Sequence, residues 1–550
     1  MAQPGQPAPT VTELLLARAN DFHCGLRFEE QSLTWAEHVQ ECADRAALLR
    51  SLRRPGPFHV GVLLDNVPEF SFLLGGAALS GAVLVGLNTT RRGEALARDV
   101  RLTDCQVVVT ESRYVELLDD LDLGAAAGRV MDTDTAAWHM SLFAHRLRPL
   151  DPVPAEPDDL LMLIFTSGTS GEPKAVRCTH RKITAPGVLL AERFGLGPAD
   201  TVYLSMPMFH SNAIMAGWAP GLAAGATLAL RRRFSASGFL DDVRKFGVTY
   251  ANYVGKPLSY VLTTPQQPDD ADNPLRMMFG NEAAERDVAE FAKRFGCRVV
   301  DSYGSTEGGI TLLRPPDLPP GSLGQLGDGV TILHPETSAP CPPARFDPDG
   351  RLSNADEAVG ELVRTNGVAL FAGYYGDSAA DGQRIRDGMF WSGDLAYRDE
   401  RDFCYFYGRT GEWLRVDGEN LGTAPIERIL LRHPDITDVA VYAVPDATAG
   451  DAVMAALVFR PPATFNPDAF ARFLAAQTDL GPKQVPTFIR VARRLPRTPT
   501  HKVLRRILST QSWRCADPVW WRSGKELRYR PLTAENAPNQ LDGRTRPVRG

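Results

Sequence analysis

The sequence predicts an α/β protein with parallel sheets covered by helices in its larger N-terminal part and a smaller C-terminal segment with strands of its own. Three observations carry this. From about residue 58, short apolar runs alternate with amphipathic ones, the rhythm of strand–helix crossovers. A loop dense in hydroxyls and glycine, Thr166 to Lys174, directly follows the apolar run 160–165. At 550 residues the chain is too long for a single core, so two or more domains are expected.

In chain order, Val60-Gly61-Val62-Leu63-Leu64 reads as a strand, 91–102 as a helix and Gln106-Val107-Val108-Val109 as the next strand. Between them, residues 70–87 are uncharged and about long enough to span a bilayer. Gly75, Gly76, Gly81 and Gly86 interrupt them, so a short helix followed by a buried strand is favoured, and peripheral membrane contact stays open. Strands follow at 202–204, 227–230 and 248–250, then helices at 239–246 and 286–295 and a strand at 298–302. Ligands in such folds gather at the carboxyl ends of strands. Both the Thr166 loop and the run Tyr303-Gly304-Ser305-Thr306-Glu307 are expected there.

Residues 315–348 are rich in Pro and Gly and predict a β-rich region. A boundary is placed near residue 408, giving an N-terminal domain over 1–408. A C-terminal domain over 409–512 has strands at 439–444 and 452–459 and a helix at 469–477. A basic, Pro/Arg-rich tail over 513–550 lacks periodicity and is expected to be poorly ordered.

The formal net charge of −6 gives no sign of nucleic-acid binding. The cysteines are scattered, with no Cys-x-x-Cys pair, and read as reduced thiols of a cytosolic protein. No basic segment precedes an apolar one at the N-terminus, so a secretory signal is not expected.

The loop Thr166-Ser167-Gly168-Thr169-Ser170-Gly171-Glu172-Pro173-Lys174 packs four hydroxyls and two glycines ahead of a lysine. Small residues admit a polyphosphate close to the backbone, and hydroxyls and amides donate to its oxygens. It is not a Walker A loop, because Pro173 precedes the lysine and Ala175 follows it. Further runs are Met206-Pro207-Met208-Phe209-His210-Ser211-Asn212, Ser392-Gly393-Asp394-Leu395, Gly408-Arg409-Thr410-Gly411-Glu412 and Leu495-Pro496-Arg497-Thr498-Pro499-Thr500-His501-Lys502. Taken singly, Glu307 is an ordinary helix-start acid, Asp394 a turn residue, Lys502 part of a solvated basic face and His210 a hydrogen-bonded core histidine.

As an ordered set these runs resemble the adenylate-forming superfamily of acyl-CoA synthetases, over about residues 10–510. Gly418-Glu419-Asn420-Leu421-Gly422-Thr423 and Arg409-Thr410-Gly411 look like the branch holding very-long-chain and fatty-acid-transport-type synthetases. The chain is also similar to actinobacterial long-chain fatty-acid–CoA ligases, a group that includes enzymes acting on steroid side-chain acids. The resemblance implies an N-terminal domain of layered αβαβα subdomains with a β-rich subdomain, and a small mobile α+β C-terminal domain. It implies ATP, Mg²⁺ and coenzyme A, and activation of a fatty or steroid carboxylic acid to an acyl-adenylate and then to acyl-CoA.

The resemblance also implies site roles. Thr166, Ser167, Gly168, Thr169, Ser170, Gly171 and Lys174 would hold the β- and γ-phosphates. Gly280, Asn281 and Glu282 would form one side of the adenine pocket, and Asp301, Ser302, Tyr303 and Gly304 the other, with Tyr303 stacking on the base. Thr306 would contact the α-phosphate, Glu307 would bind Mg²⁺, Asp394 would accept the ribose hydroxyls and Arg409 would lie beside them. Lys502 would reach the α-phosphate during adenylation. His210 would stand at the mouth of an apolar acyl tunnel, with Trp218, Tyr253, Val254 and Leu258 as wall candidates, although apolar side chains at helical spacing are more often core. Gly418, Glu419 and Asn420 would meet coenzyme A, and Gly411 would be the hinge.

Three positions depart from the common pattern: Gly411-Glu412 replaces an Asp pair, His501 replaces the glycine before the lysine, and an Arg common beyond the hinge is replaced near Asn420. Two other readings are an acyl-adenylate ligase loading a separate carrier protein and a non-catalytic fatty-acid binding or uptake protein.

Overall fold

The computed structural model describes residues 8–533 except 148, 168–172, 316, 411–413, 417–418, 447–449, 499–502 and 525. The chain packs as two units. The first comprises residues 1–309 and 368–383, the second 310–367 and 384–550.

After a short helix, Val11–Leu16, the first unit continues with β1 (Cys24–Phe28), β2 (Gln31–Thr34) and α1 (Trp35–Leu52). Thr34 and Glu37 start α1 with a reciprocal capping box, satisfying backbone donors the helix cannot pair itself. Next come β3 (His59–Leu63), α2 (Pro68–Ser80), β4 (Val83–Gly86), α3 (Gly93–Leu102), β5 (Cys105–Thr110), β6 (Val130–Asp132) and α4 (Ala136–Phe143). Then follow β7 (Leu160–Ser167), β8 (Pro173–Thr179), α5 (His180–Phe194), β9 (Thr201–Leu204), β10 (Thr227–Leu230) and α6 (Phe239–Phe246). Next come β11 (Tyr250–Val254), α7 (Pro257–Leu262), β12 (Met277–Asn281), α8 (Glu285–Phe295) and β13 (Arg298–Asp301).

These strands form two sheets, ordered β6-β5-β3-β4-β7-β8 and β13-β12-β11-β9-β10-β1-β2. Apart from β2 and β8, neighbours run parallel. Strands such as β3, β4 and β5 are buried along their whole length, as parallel strands covered on both faces must be.

In the second unit β14 (Gly324–Gln325), β15 (Val330–Leu333), β16 (Gly360–Arg364), β17 (Ile385–Arg386), β18 (Met389–Arg398) and β19 (Phe403–Arg409) make an antiparallel sheet. A second sheet contains β20 (Leu414–Val416), β21 (Glu419–Leu421), β22 (Ile436–Asp446), β23 (Gly450–Phe459) and β24 (Phe488–Val491). Around it lie α9 (Thr423–Leu430), α10 (Pro467–Ala475) and α11 (Arg505–Gln511). The boundary expected near residue 408 falls inside this unit, where α9 packs against β19.

Several expectations are corrected. The strand expected at 248–250 runs instead over Tyr250–Val254, because the Val248 amide still donates to Val243 at the end of α6. Tyr253 and Val254 are therefore strand residues, not part of a helical run. The uncharged stretch 70–87 is α2 and β4, buried from Phe70 to Ser80 and along β4; no helix among the described residues is long and apolar enough to cross a membrane. The segment after residue 513, expected to be poorly ordered, carries two strands: β25 (Val519–Trp521) pairs with β24, and β26 (Arg530–Pro531) with β25. Its aromatics supply what its Arg/Pro composition hides. Trp513 stacks on Phe488 at 5.2 Å, and Tyr529, 4% exposed, donates to the Pro486 carbonyl at 2.6 Å.

The two sheets of the first unit are joined just after β3. The buried Asn66 side chain donates to the carbonyls of Met206 at 2.8 Å and Leu204 at 3.4 Å and accepts from the Met208 amide at 2.9 Å. Asn66→Ala leaves these groups unsatisfied and should lower the unit's stability by about 2 kcal/mol or more. Native-state hydrogen exchange is expected to show lost protection at the Met208 amide; protection equal to that of the parent would rule out this junction.

Candidate active site

The carboxyl ends of β11, β12 and β13 lie in register, Tyr253 beside Gly280 and Gly280 beside Asp301. A Cβ at Gly280 would collide with the Tyr253 carbonyl and ring, so the close approach requires glycine. Asp301 accepts from the Tyr253 hydroxyl at 2.8 Å and the Ala283 amide at 3.0 Å. The Gly255 amide donates to Asn281 and the Ser302 amide to Gly280. Glu282 adopts φ +67°, uncommon for a non-glycine residue, just after the carboxyl end of β12. The expected adenine residues, Gly280, Asn281, Glu282, Asp301, Ser302, Tyr303 and Gly304, are therefore gathered on two adjacent strand ends. Tyr303 is half-buried and Gly304 exposed.

The next turn is held from three sides. The Thr306 hydroxyl lies 2.8 Å from that of Ser211. The Glu307 carboxylate accepts from the Tyr374 hydroxyl at 3.0 Å, and its main-chain carbonyl accepts from the Lys182 ammonium at 2.9 Å. Lys182 is 1% exposed, and burial lowers its pKa from the ordinary lysine value. The segment around Tyr374 lies along β8, with Arg177 donating to Gly373 and Tyr375 to Ala175. Lys174 reaches the same tyrosine from the other side, its ammonium 5.3 Å from the Tyr374 ring centroid and 3.4 Å from the Gln383 side-chain oxygen. One phenol thus stands between the lysine of the hydroxyl loop and the carboxylate of the Thr306 turn.

Thr166 pairs with Lys174 across β7 and β8, which run antiparallel. The hydroxyl loop is therefore the connection of a hairpin, not a strand-to-helix crossover. His210 precedes a short helix, Ser211–Ala213, its amide donating to Pro207 and its ring 4.5 Å from that of Phe209. Asn212 donates to the Tyr253 carbonyl at 2.9 Å and accepts from Asn252 at 2.6 Å, fixing the loop to β11. Among the expected acyl-wall residues, Trp218 is fully enclosed at the end of a π-helical turn, Ile214–Trp218, and its indole donates to the Ser71 hydroxyl at 2.7 Å. Tyr253 and Leu258 are enclosed with Phe239 and Phe291 in the core cluster, and Val254 is buried.

In the second unit Asp394 and Arg409 face each other in register across β18 and β19, with Nε 3.3 Å from Oδ1. The turn before Asp394 is fixed by Glu361, 1% exposed, whose carboxylate accepts from the Gly393 amide at 2.6 Å; burial raises its pKa. Gly393 has φ +75° and leaves no room for a Cβ beside Arg384. Gly168, Thr169, Ser170, Gly171, Gly411, Gly418 and Lys502 lie outside the described residues. For Ser167, Glu419 and Asn420 only the backbone is described: Ser167 ends β7, and Glu419 and Asn420 pair with Val416 and Arg415.

Ser211, Lys182, Tyr374 and Glu361 support the expected site residues through contacts that sequence does not reveal. Ser211 lies in the run 206–212. An aromatic pair bracketed by glycine, Gly373-Tyr374-Tyr375-Gly376, is the signal for the third. The donor set suits a nucleotide and a hard cation. Glu307 offers a carboxylate already oriented by a phenol, and Mg²⁺ is ordinarily held by one or two carboxylates plus substrate phosphates. No cluster of three or more candidate metal ligands exists among the described residues. Asp394 offers two acceptor oxygens for a diol.

Comparison with known proteins identifies the family. Residues 17–375 match the family model described as AMP-binding enzyme, and 425–502 match AMP-binding enzyme C-terminal domain. The chain is 52% identical to the medium/long-chain-fatty-acid–CoA ligase FadD17 of Mycobacterium marinum, over 93% of this chain and 98% of the relative. It is 48% identical to the steroid-22-oyl-CoA synthetase of Rhodococcus jostii, over 95% of each. In fold it is similar to ATP-bound MatB from Rhodopseudomonas palustris, with TM-score 0.79 and 21% identity, over 92% of this chain and 99% of that one. The chain belongs to the AMP-binding, adenylate-forming enzyme family.

Proposed function

We propose that this ligase acts on a carboxylic acid with a large apolar body, a medium- or long-chain fatty acid or a steroid side-chain acid. The observation that supports this most directly is near-full-length identity of about one half to ligases named for those two acid classes. The protein is an acyl-CoA ligase that uses ATP, Mg²⁺ and coenzyme A.

A thiol cannot displace oxide from a carboxylate. The carboxylate oxygen therefore attacks the α-phosphorus of ATP, the bond to pyrophosphate breaks, and an acyl-adenylate forms. The thiolate of coenzyme A then attacks the acyl carbon, and AMP leaves with the electron pair of the broken C–O bond. The first step brings two anions together, so donors must be in place as charge develops. In this reading Thr306, oriented by Ser211, donates to the α-phosphate, and Lys174 with the hydroxyl loop receives the β- and γ-phosphates. Glu307 holds Mg²⁺, which when bound there would neutralise phosphate charge. Lys182 secures that turn from beneath through the Glu307 carbonyl. Gly280, Asn281, Asp301 and Tyr303 bound the adenine, Asp394 takes the ribose hydroxyls beside Arg409, and His210 lies toward the acyl group. Gly418, Glu419 and Asn420 are assigned to coenzyme A, and Gly411 to the hinge.

Incubation with ATP, Mg²⁺, coenzyme A and a panel of fatty and C22–C27 steroid acids, read by mass spectrometry, tests the reading (the carbon range spans side-chain acids on the sterol ring system). Acyl-CoA from one class is expected; acyl-adenylate accumulating despite coenzyme A would overturn it in favour of a carrier-loading ligase. Lys502→Ala should lower adenylation by about 10²–10³ yet leave thioester formation from synthetic acyl-adenylate nearly intact. An equal loss in both half-reactions would remove Lys502 from the adenylation site. Tyr374→Phe should raise the Mg²⁺ concentration needed for half-maximal ATP–pyrophosphate exchange by about tenfold. An unchanged Mg²⁺ dependence would show that the phenol does not orient Glu307.

A further inference from the structure

The outer side of α4 is apolar. Trp138 faces inward and is 2% exposed, whereas Met140 is 67%, Phe143 74% and Leu147 75% exposed. Residues 140 and 143 lie on one side of a helix and Trp138 on the other, because successive residues turn by about 100°. Single exposed apolar residues are ordinary. Three large ones within eight positions make a patch that calls for a partner.

Exposed arginines flank the patch: Arg146 next to Leu147, and Arg53 and Arg54 at the end of α1. The acids at this edge are Asp44, which is buried, and Asp151. α4 and the end of α1 form one edge. α1 packs against α4, the Leu147 amide donates to Asp44 at 3.1 Å, and Arg50 donates to the Asp151 carbonyl at 2.7 Å. Arg129 donates to the carbonyls of Leu52 and Gln106, adding a further guanidinium near the end of α1.

Protruding apolar side chains rimmed by arginine match the boundary between headgroups and acyl chains of an anionic bilayer. We propose that the edge formed by α4 and the end of α1 docks on anionic membrane surfaces, with Met140, Phe143 and Leu147 entering the interface and Arg53, Arg54 and Arg146 meeting lipid phosphates. This surface replaces the 70–87 stretch, which is core, as the place of membrane contact. It stands independently of the ligase reading.

Co-sedimentation of the full chain with phosphatidylcholine vesicles, with and without phosphatidylglycerol, tests it. Binding is expected only with phosphatidylglycerol and should weaken as salt rises. The triple variant Met140→Ser/Phe143→Ser/Leu147→Ser should lower the partition coefficient by about tenfold or more. Arg53→Glu/Arg54→Glu should do the same, each lost arginine being worth about fivefold. The altered side chains are exposed, so melting temperature and solution turnover should match the parent. Absence of binding by the parent chain, or binding that survives the triple substitution, overturns the proposal. So does a parent dimer that the triple variant dissolves while neither protein binds vesicles, which would make the patch a contact between copies.

Discussion

The site of the first unit depends on a junction two residues long. Asp65 and Asn66 follow β3 in one sheet and grip elements of the other. Asp65, 5% exposed, accepts from the Tyr114 hydroxyl at 2.7 Å, Arg113 at 3.0 Å and Arg233 at 3.2 Å, while its amide donates to Glu111. Arg232 pairs with Glu111, and its carbonyl accepts from the Asn66 amide. A buried carboxylate is costly unless its oxygens are occupied by well-placed donors; here they come from both sheets, so the polar cost is met only when the sheets are correctly apposed. Asn66 converts that apposition into a position for the loop leading to His210 and Ser211. Lys174 comes from the first sheet and the Thr306 turn follows the second, so neither sheet alone could place both beside Tyr374.

A second constraint acts from below the Thr306 turn. A lysine ammonium in an enclosed place is stabilised only by acceptors that stay put. Lys182, near the start of α5, is bonded to the Glu307 carbonyl, and the Phe371 ring centroid lies 5.8 Å from its nitrogen. The charge contributes little to stability by being there. Its consequence is that the peptide after Glu307 has one favoured orientation, leaving the carboxylate to Tyr374. Tyr374 is in turn fixed by its amide, which donates to Asp381 at 2.7 Å, and by a bridge to Val176.

What the sequence discloses is what local periodicity and residue type encode. The strand–helix alternation, the buried strand before Thr166 and the helix–strand break within 70–87 are all visible in it. Asp394 and Arg409 are quoted in separate runs, but their pairing needs the register of β18 and β19. The hairpin geometry of the hydroxyl loop is hidden, because an apolar run does not reveal whether its successor runs parallel or antiparallel. Trp218 illustrates a different limit: a large aromatic reads equally as tunnel wall or core, and its bond to Ser71, far away in sequence, decides how it packs. Tyr374, Lys182 and Glu361 escape sequence reading because their partners lie far along the chain and their chemistry is that of support. The ordered strands after residue 513 escape it because three aromatics, not a repeating pattern, hold them.

Similar support holds Arg497 and Arg505 in the second unit. Arg497 pairs with Asp438 on β22 and forms a bridge with Val503. Arg505 donates to both oxygens of Glu427 on α9, at 2.8 and 2.9 Å, and Glu427 also accepts from the Val441 amide on β22. Arg497 is therefore fastened to β22 and Arg505 to α9, which Glu427 ties to the same strand. These pairs are partly buried, so their geometry is worth more than that of exposed ion pairs. Pulling the two arginines away would break a bridge and two ion pairs at once. Arg497 and Arg505 therefore move with β22 and α9 unless these contacts are given up together.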